Sequence, residues 1–106
     1  MGCICSVQYG KKARNTILSC EEIFVSAIRT FGEREQEEVA IEELAELIQA
    51  ISHKHRGREH NIAEEIADVE IMLEQLKIIN NCHSKVTQIK AQKIHRLYDN
   101  ICDKCF

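Results

Sequence analysis

Seventeen of the 106 residues are Asp or Glu, and four of them are spaced in a way that can do chemistry: Glu43 with Glu46, and Glu65 with Asp68. Each pair is three residues apart, so on a helix both side chains project from neighbouring turns of one face. On a wheel of ~100° per residue, Ala40, Ile41, Leu44, Leu47, Ile48 and Ile51 form the apolar arc of the first segment. Glu38, Glu42 and Gln49 lie opposite, where water is their partner. Glu43 and Glu46 share a stripe with Val39 and Ala50, beside the arc. In the second segment Ile62, Ile66, Val69, Leu73 and Leu76 mark the main apolar face, which Met72 and Ile79 widen. Glu65 and Asp68 fall inside the widened arc, whereas Glu64, Glu70, Glu74 and Lys77 lie elsewhere. A carboxylate among Met and Leu side chains loses hydration, at a cost of several kcal/mol unless a cation or hydrogen bonds compensate. Four carboxylates converging on one point repel, and a hard divalent cation resolves the repulsion. Oxygen-only ligands suit Mg2+, or Mn2+ in its place. Neither pair contains a His, which disfavours a di-iron site built from Glu-x-x-His.

The elements that must position these residues are helices. The chain has no Pro and four Gly, and is rich in Glu, Ala, Leu, Ile and Lys, so nothing breaks long helical runs. Residues 1–18 show no sustained period and read as an irregular or short extended lead-in to an all-α domain over residues 19–106. Ser19 with Glu22 forms a capping box ahead of a short helix stopped by Gly32. A long helix over about Glu35 to His55 follows, with Gly57 as its break. Asn61 with Glu64 reads as a second cap, opening a helix to about Asn80, and Ser84 caps a last one through about Ile101. Four helices with short connections predict an all-α, bundle-like fold in which the two acidic segments are antiparallel neighbours. Ile71 and Ile78, across the third helix from its main face, predict an oligomer contact there. A core this small, with aromatics at 5% and no Trp, is completed through a partner.

The net charge of −3 disfavours a nucleic-acid partner, which calls for a basic face. No apolar run approaches the roughly 20 residues that span a bilayer. Six cysteines in a helical chain without a signal segment read as reduced thiols of a cytoplasmic protein. Cys3, Cys5, Cys102 and Cys105 form at best half of a regular zinc spacing, and Met1-Gly2 with Cys3, Cys5 and Ser6 formally matches a lipidation pattern.

Glu42-Glu43-Leu44-Ala45-Glu46 followed by Glu65-Ile66-Ala67-Asp68 resembles the EExxE…ExxD signature of the MazG-type all-α nucleoside triphosphate pyrophosphohydrolases, most closely small phage and bacterial forms. Gln36 upstream also fits, and the resemblance spans about Phe31 to Ile101. It implies hydrolysis of a nucleoside triphosphate between its α and β phosphates, with Glu43, Glu46, Glu65 and Asp68 as magnesium ligands and a homodimer or homotetramer as the working unit. Glu42 matches the first Glu of the signature, but the wheel turns it to solvent. Glu46 is the candidate for a catalytic duty as well, accepting the proton of the attacking water. Lys93 and Arg96 are the candidate phosphate-binding pair. The rivals are the related phosphoribosyl-ATP pyrophosphohydrolase, disfavoured by the lack of a Ser-Tyr-Thr-like segment ahead of the first block, and a non-catalytic helical interaction module.

Overall fold

The computed structural model describes residues 7–8 and 17–105. Two short strands, β1 (Val7–Gln8) and β2 (Ile17–Leu18), pair antiparallel, with Val7 opposite Leu18 and Gln8 opposite Ile17. Part of the lead-in is therefore short extended chain, paired as two strands. Four helices follow: α1 (Cys20–Phe31), α2 (Glu33–His55), α3 (Ile62–Ile79) and α4 (His83–Cys105).

Local chemistry explains the boundaries. Ser19 Oγ accepts from the Glu22 N–H at 3.1 Å and Glu22 Oε1 accepts from the Ser19 N–H at 3.0 Å, closing the reciprocal capping box at the start of α1. That backbone hydrogen bond and the Ser19 hydroxyl together hold the Glu22 carboxyl below its ordinary pKa. Gly32, at φ +97°, bends the chain between α1 and α2. After α2 the N–H of Arg58 bonds to the carbonyl of His53 and that of Gly57 to Lys54, at 2.8 and 3.0 Å. This is the paired C-terminal closure that needs a left-handed residue, supplied by Gly57 at φ +70°. The same closure ends α3 with a non-glycine: Cys82 N–H reaches Lys77, Asn81 N–H reaches Ile78, and Asn81 sits at φ +48°. Asparagine tolerates that region better than other side chains. Two expected caps differ. Asn61 makes no capping bond to the α3 N-terminus, and Ser84 lies inside α4, which begins one residue earlier.

The α2–α3 hairpin is the centre of the structure, with α1 packed on both helices. Its seam is lined by Gln36, Ala40 and Ala50 from α2 and by Glu65, Val69, Met72 and Gln75 from α3, all buried. The steps of four, three and three residues along α3 mark the narrow stripe of two closely packed helices, and the two alanines of α2 let the backbones approach. At one end Gln36 Nε2 donates to Gln75 Oε1 at 2.6 Å, inside the seam.

This geometry corrects the sequence reading of the faces. Ile41, Leu44, Ile48 and Ile51, expected in the core, are exposed, Ile41 and Ile48 by 66% and 69%. Ile66 and Leu73 of α3 are exposed as well. The wheel correctly groups these residues but cannot say which stripe meets the neighbouring helix. Two helices joined by a short turn pack through the stripe that permits closest approach, and here that stripe carries Ala, Gln and Glu. The expected bundle is also not closed within one chain. No residue of α4 is buried, and every residue from Thr87 to Ile101 is exposed. A helix that lay along α3 would hide one face. The 60 Å long dimension of the molecule matches α3 and α4, about 27 Å and about 35 Å long at 1.5 Å per residue, following one another nearly end to end. The radius of gyration is 17.5 Å, against about 13 Å for a compact domain of this length.

Candidate metal centre

The seam carries carboxylates at its middle. Glu43 and Glu46 stand one and nearly two turns along α2 from buried Ala40, and Glu65 and Asp68 stand in the first two turns of α3. Because the Gln36–Gln75 bond fixes the antiparallel register, advancing along α2 while retreating along α3 brings the two pairs level. Glu43, Glu46 and Glu65 each place a carboxylate oxygen within 4.8 Å of the other two. Glu64, Glu65 and Asp68 form an overlapping group within the same limit. Glu43, Glu46 and Glu65 thus converge, and Asp68 joins them through Glu65, which is common to both groups. Glu42 is exposed, as the wheel places it.

Burial and mutual repulsion define the electrostatics. Glu65 is only 7% exposed. Its Oε1 accepts from Asn61 Nδ2 at 2.7 Å, while its Oε2 is buried with no hydrogen-bond partner. Glu43 Oε2 is likewise buried and unpartnered. Burial pushes the Glu43 carboxyl above its ordinary pKa, and the charges of Glu46, Asp68 and Glu65 push it further. Among the described residues, no cation forms a salt bridge with any of the four. Stripping a carboxylate oxygen of water without giving it a donor is costly, and two such oxygens in one cluster call for a positive charge between them. The residues present therefore fit a hard divalent cation: the donors are all oxygen, they come from two rigid helices, and they converge within ligand-bridging range.

Two residues escaped the sequence reading. Glu64, assigned there to solvent and to a cap, is exposed but brings its carboxylate to Glu65 and Asp68; its four-residue spacing from Asp68 is the signal that could have found it. Asn61, read as a cap, instead holds Glu65, again across four residues. Lys93 and Arg96 are not brought to the carboxylates. Asp68 stands about as far before the α3–α4 turn as Lys93 stands after it, so a folded-back α4 would set them level. α4 does not fold back, and both side chains are exposed on it.

The cysteines need one correction. Cys82, Cys102 and Cys105 are free thiols, as expected, but buried Cys20 is disulfide-bonded. The Cys3–Cys5 half of the zinc spacing and the lipidation pattern lie outside the described residues. Among the described residues no helix is long and apolar enough to cross a membrane. No family model matches this chain, nor does any curated protein or solved structure.

Proposed function

We propose that this chain is a magnesium-dependent nucleoside triphosphate pyrophosphohydrolase of the MazG type, cleaving between the α and β phosphates to give a monophosphate and pyrophosphate. The observation that carries the reading is the pair of buried, unpartnered oxygens, Glu43 Oε2 and Glu65 Oε2, inside one four-carboxylate cluster. A scaffold role gives no reason to bury unneutralised acids on the contact line of two helices, where apolar residues stabilise better. The EExxE…ExxD pattern of the sequence supplies the reaction class.

Glu43, Glu46, Glu65 and Asp68 would hold Mg2+, or Mn2+ in its place. Such an ion supplies phosphate charge neutralisation and a bound water of lowered pKa. The chain's own residues then divide the remaining work. Asn61, bonded to Glu65 Oε1, fixes that carboxylate and leaves the other oxygen directed to the cluster, the outer-sphere support that ligands need. Glu65, buried, and Glu43, half-buried with one oxygen shut off from solvent, would act as fixed ligands. Glu46 is exposed, so it is the member of the set best placed to meet solvent and accept a proton from an attacking water. The working unit is a homo-oligomer, dimer or tetramer, because a single copy leaves the apolar stripe of α2 exposed and buries no residue of α4.

A panel of nucleoside triphosphates with Mg2+, resolved for monophosphate, pyrophosphate and orthophosphate, tests the reading. At least one nucleotide should yield pyrophosphate and monophosphate in equal amounts. Release of orthophosphate and diphosphate alone, or no turnover across the panel, overturns it.

A further inference from the structure

We propose that Asn61 selects the cation of the carboxylate centre: by holding Glu65 Oε1 it leaves that ligand a single free oxygen, which favours Mg2+ over Ca2+. Asn61 has this role only if the carboxylates hold a divalent cation, as proposed above. The first observation is a helix-capping residue that does not cap. An asparagine just ahead of a helix ordinarily accepts, through its side chain, a hydrogen bond from a backbone N–H of the first turn. Asn61 stands in that position before α3, at φ −125° and ψ 47°, and makes no such bond. Its side chain is turned to Glu65 instead, Nδ2 donating to Oε1 at 2.7 Å. Its carbonyl accepts from the Glu65 N–H at 3.0 Å. One residue thus holds Glu65 by both its backbone and its carboxylate.

The second observation is the oxygen left over. Glu65 is more than nine-tenths buried, is common to both carboxylate groups of the seam, and keeps Oε2 buried without a partner. A carboxylate so placed, with one oxygen committed and the other unpartnered, is a one-oxygen ligand. Hard cations differ in their tolerance of that restriction. Mg2+ demands a rigid octahedral shell at about 2.1 Å and retains water in it, whereas Ca2+, at about 2.4 Å, takes a looser shell and often grips both oxygens of a carboxylate. Gripping both oxygens of Glu65 would break a charge-assisted hydrogen bond. The type of donor matters as well. A Lys or Arg at position 61 would cancel the charge that attracts the ion, and an Asp would repel the carboxylate it should hold. The neutral amide occupies one oxygen and leaves the charge in place. Asn61 is therefore a positioning residue, acting on the ion through Glu65.

Calorimetric titration of the EDTA-treated and dialysed full chain with MgCl2 or CaCl2 alone, without nucleotide, tests the role. Asn61→Ala removes the amide, and no capping bond is lost with it. Asn61→Ser also removes the amide but supplies a hydroxyl that can cap α3, so the two variants differ at the helix end and agree at Glu65. In both, Mg2+ should bind about 10-fold more weakly, the loss expected for an outer-sphere partner, while Ca2+ should bind as tightly as to the parent or more tightly. The preference between the ions then moves by at least about 10-fold. Equal weakening of both ions overturns the selection, because mere support of the fold predicts it. A shift confined to Asn61→Ala also overturns it, since that shift traces to the helix end. A parent that binds both ions, with variants that keep its preference, defeats the role of Asn61 and leaves the metal centre standing. A parent that binds neither ion defeats the metal centre itself.

Discussion

Glu43 concentrates the chemistry of the site in one side chain. Its carboxyl is raised above the ordinary glutamate value of about 4.3 first by burial and then by the charges of Glu46, Asp68 and Glu65. In the folded, metal-free chain Glu43 therefore binds its proton more tightly than in the unfolded chain. Between the ordinary pKa and the raised one the folded state holds more protons, so stability falls as pH rises through that window and does not return above it. In EDTA, the melting temperature of the parent should include this decline as pH rises above the ordinary glutamate pKa, and Glu43→Gln should remove that component. Mg2+ should raise the parent's melting temperature at pH 7, because it binds only the folded site. In the Glu43→Gln chain that rise should shrink sharply, and turnover should drop by at least about 100-fold, more than the loss of an outer-sphere partner. Equal pH profiles in EDTA, or an undiminished Mg2+ effect, would show that Glu43 is an ordinary solvated acid. The opposite sign holds at Glu22, whose carboxyl is held low by Ser19 and so stabilises the fold at neutral pH but not when protonated.

At the scale of elements, the seam between α2 and α3 positions every carboxylate, and its register rests on Gln36 and Gln75. Their 2.6 Å bond is buried, and Gln75 Nε2 points to Met72 Sδ at 3.7 Å, a weak acceptor. Gln36→Leu strands the Gln75 amide and should cost about 1–3 kcal/mol by urea unfolding. Gln36→Leu with Gln75→Leu removes both polar groups and should recover most of that loss, giving a clear coupling energy in a double-mutant cycle. Additive losses would mean the pair is not coupled. The seam also shows what was legible in the sequence. The four helices, the Ser19–Glu22 box, the Gly57 break and the convergence of the four acids all follow from spacing, because i,i+3 geometry and short loops leave little freedom. Which face of α2 meets α3 does not follow. Ile41, Leu44 and Ile48 carry most of the hydrophobic signal, whereas Ala40 and Ala50 win the contact because small side chains allow close approach. A wheel weighs transfer energy, not backbone distance. The same limit hid Glu64 and Asn61, whose roles depend on side-chain reach across one turn.

At the scale of the whole molecule, the decisive feature is the turn between α3 and α4. It spans Asn80, Asn81 and Cys82, with Asn81 left-handed and the Asn80 side chain donating to the Leu76 carbonyl at 2.9 Å. So short and so well bonded a connection fixes the outward direction of α4. Short hinges favour exchange between copies over closure within one. The hinge therefore sets the molecularity of covering α4. Held outward, the helix is covered only when a second chain meets it, to a degree that depends on protein concentration. Folded back, it would be covered within one chain, at an effective concentration in the millimolar range for a short flexible link. Inserting a Gly-Ser-rich segment after Asn81 should release that constraint. The chain should then scatter light as a compact monomer at concentrations where the parent scatters as an oligomer. Three residues well beyond the Glu43–Glu65 cluster would thus decide whether this chain covers its last helix alone or with a second copy.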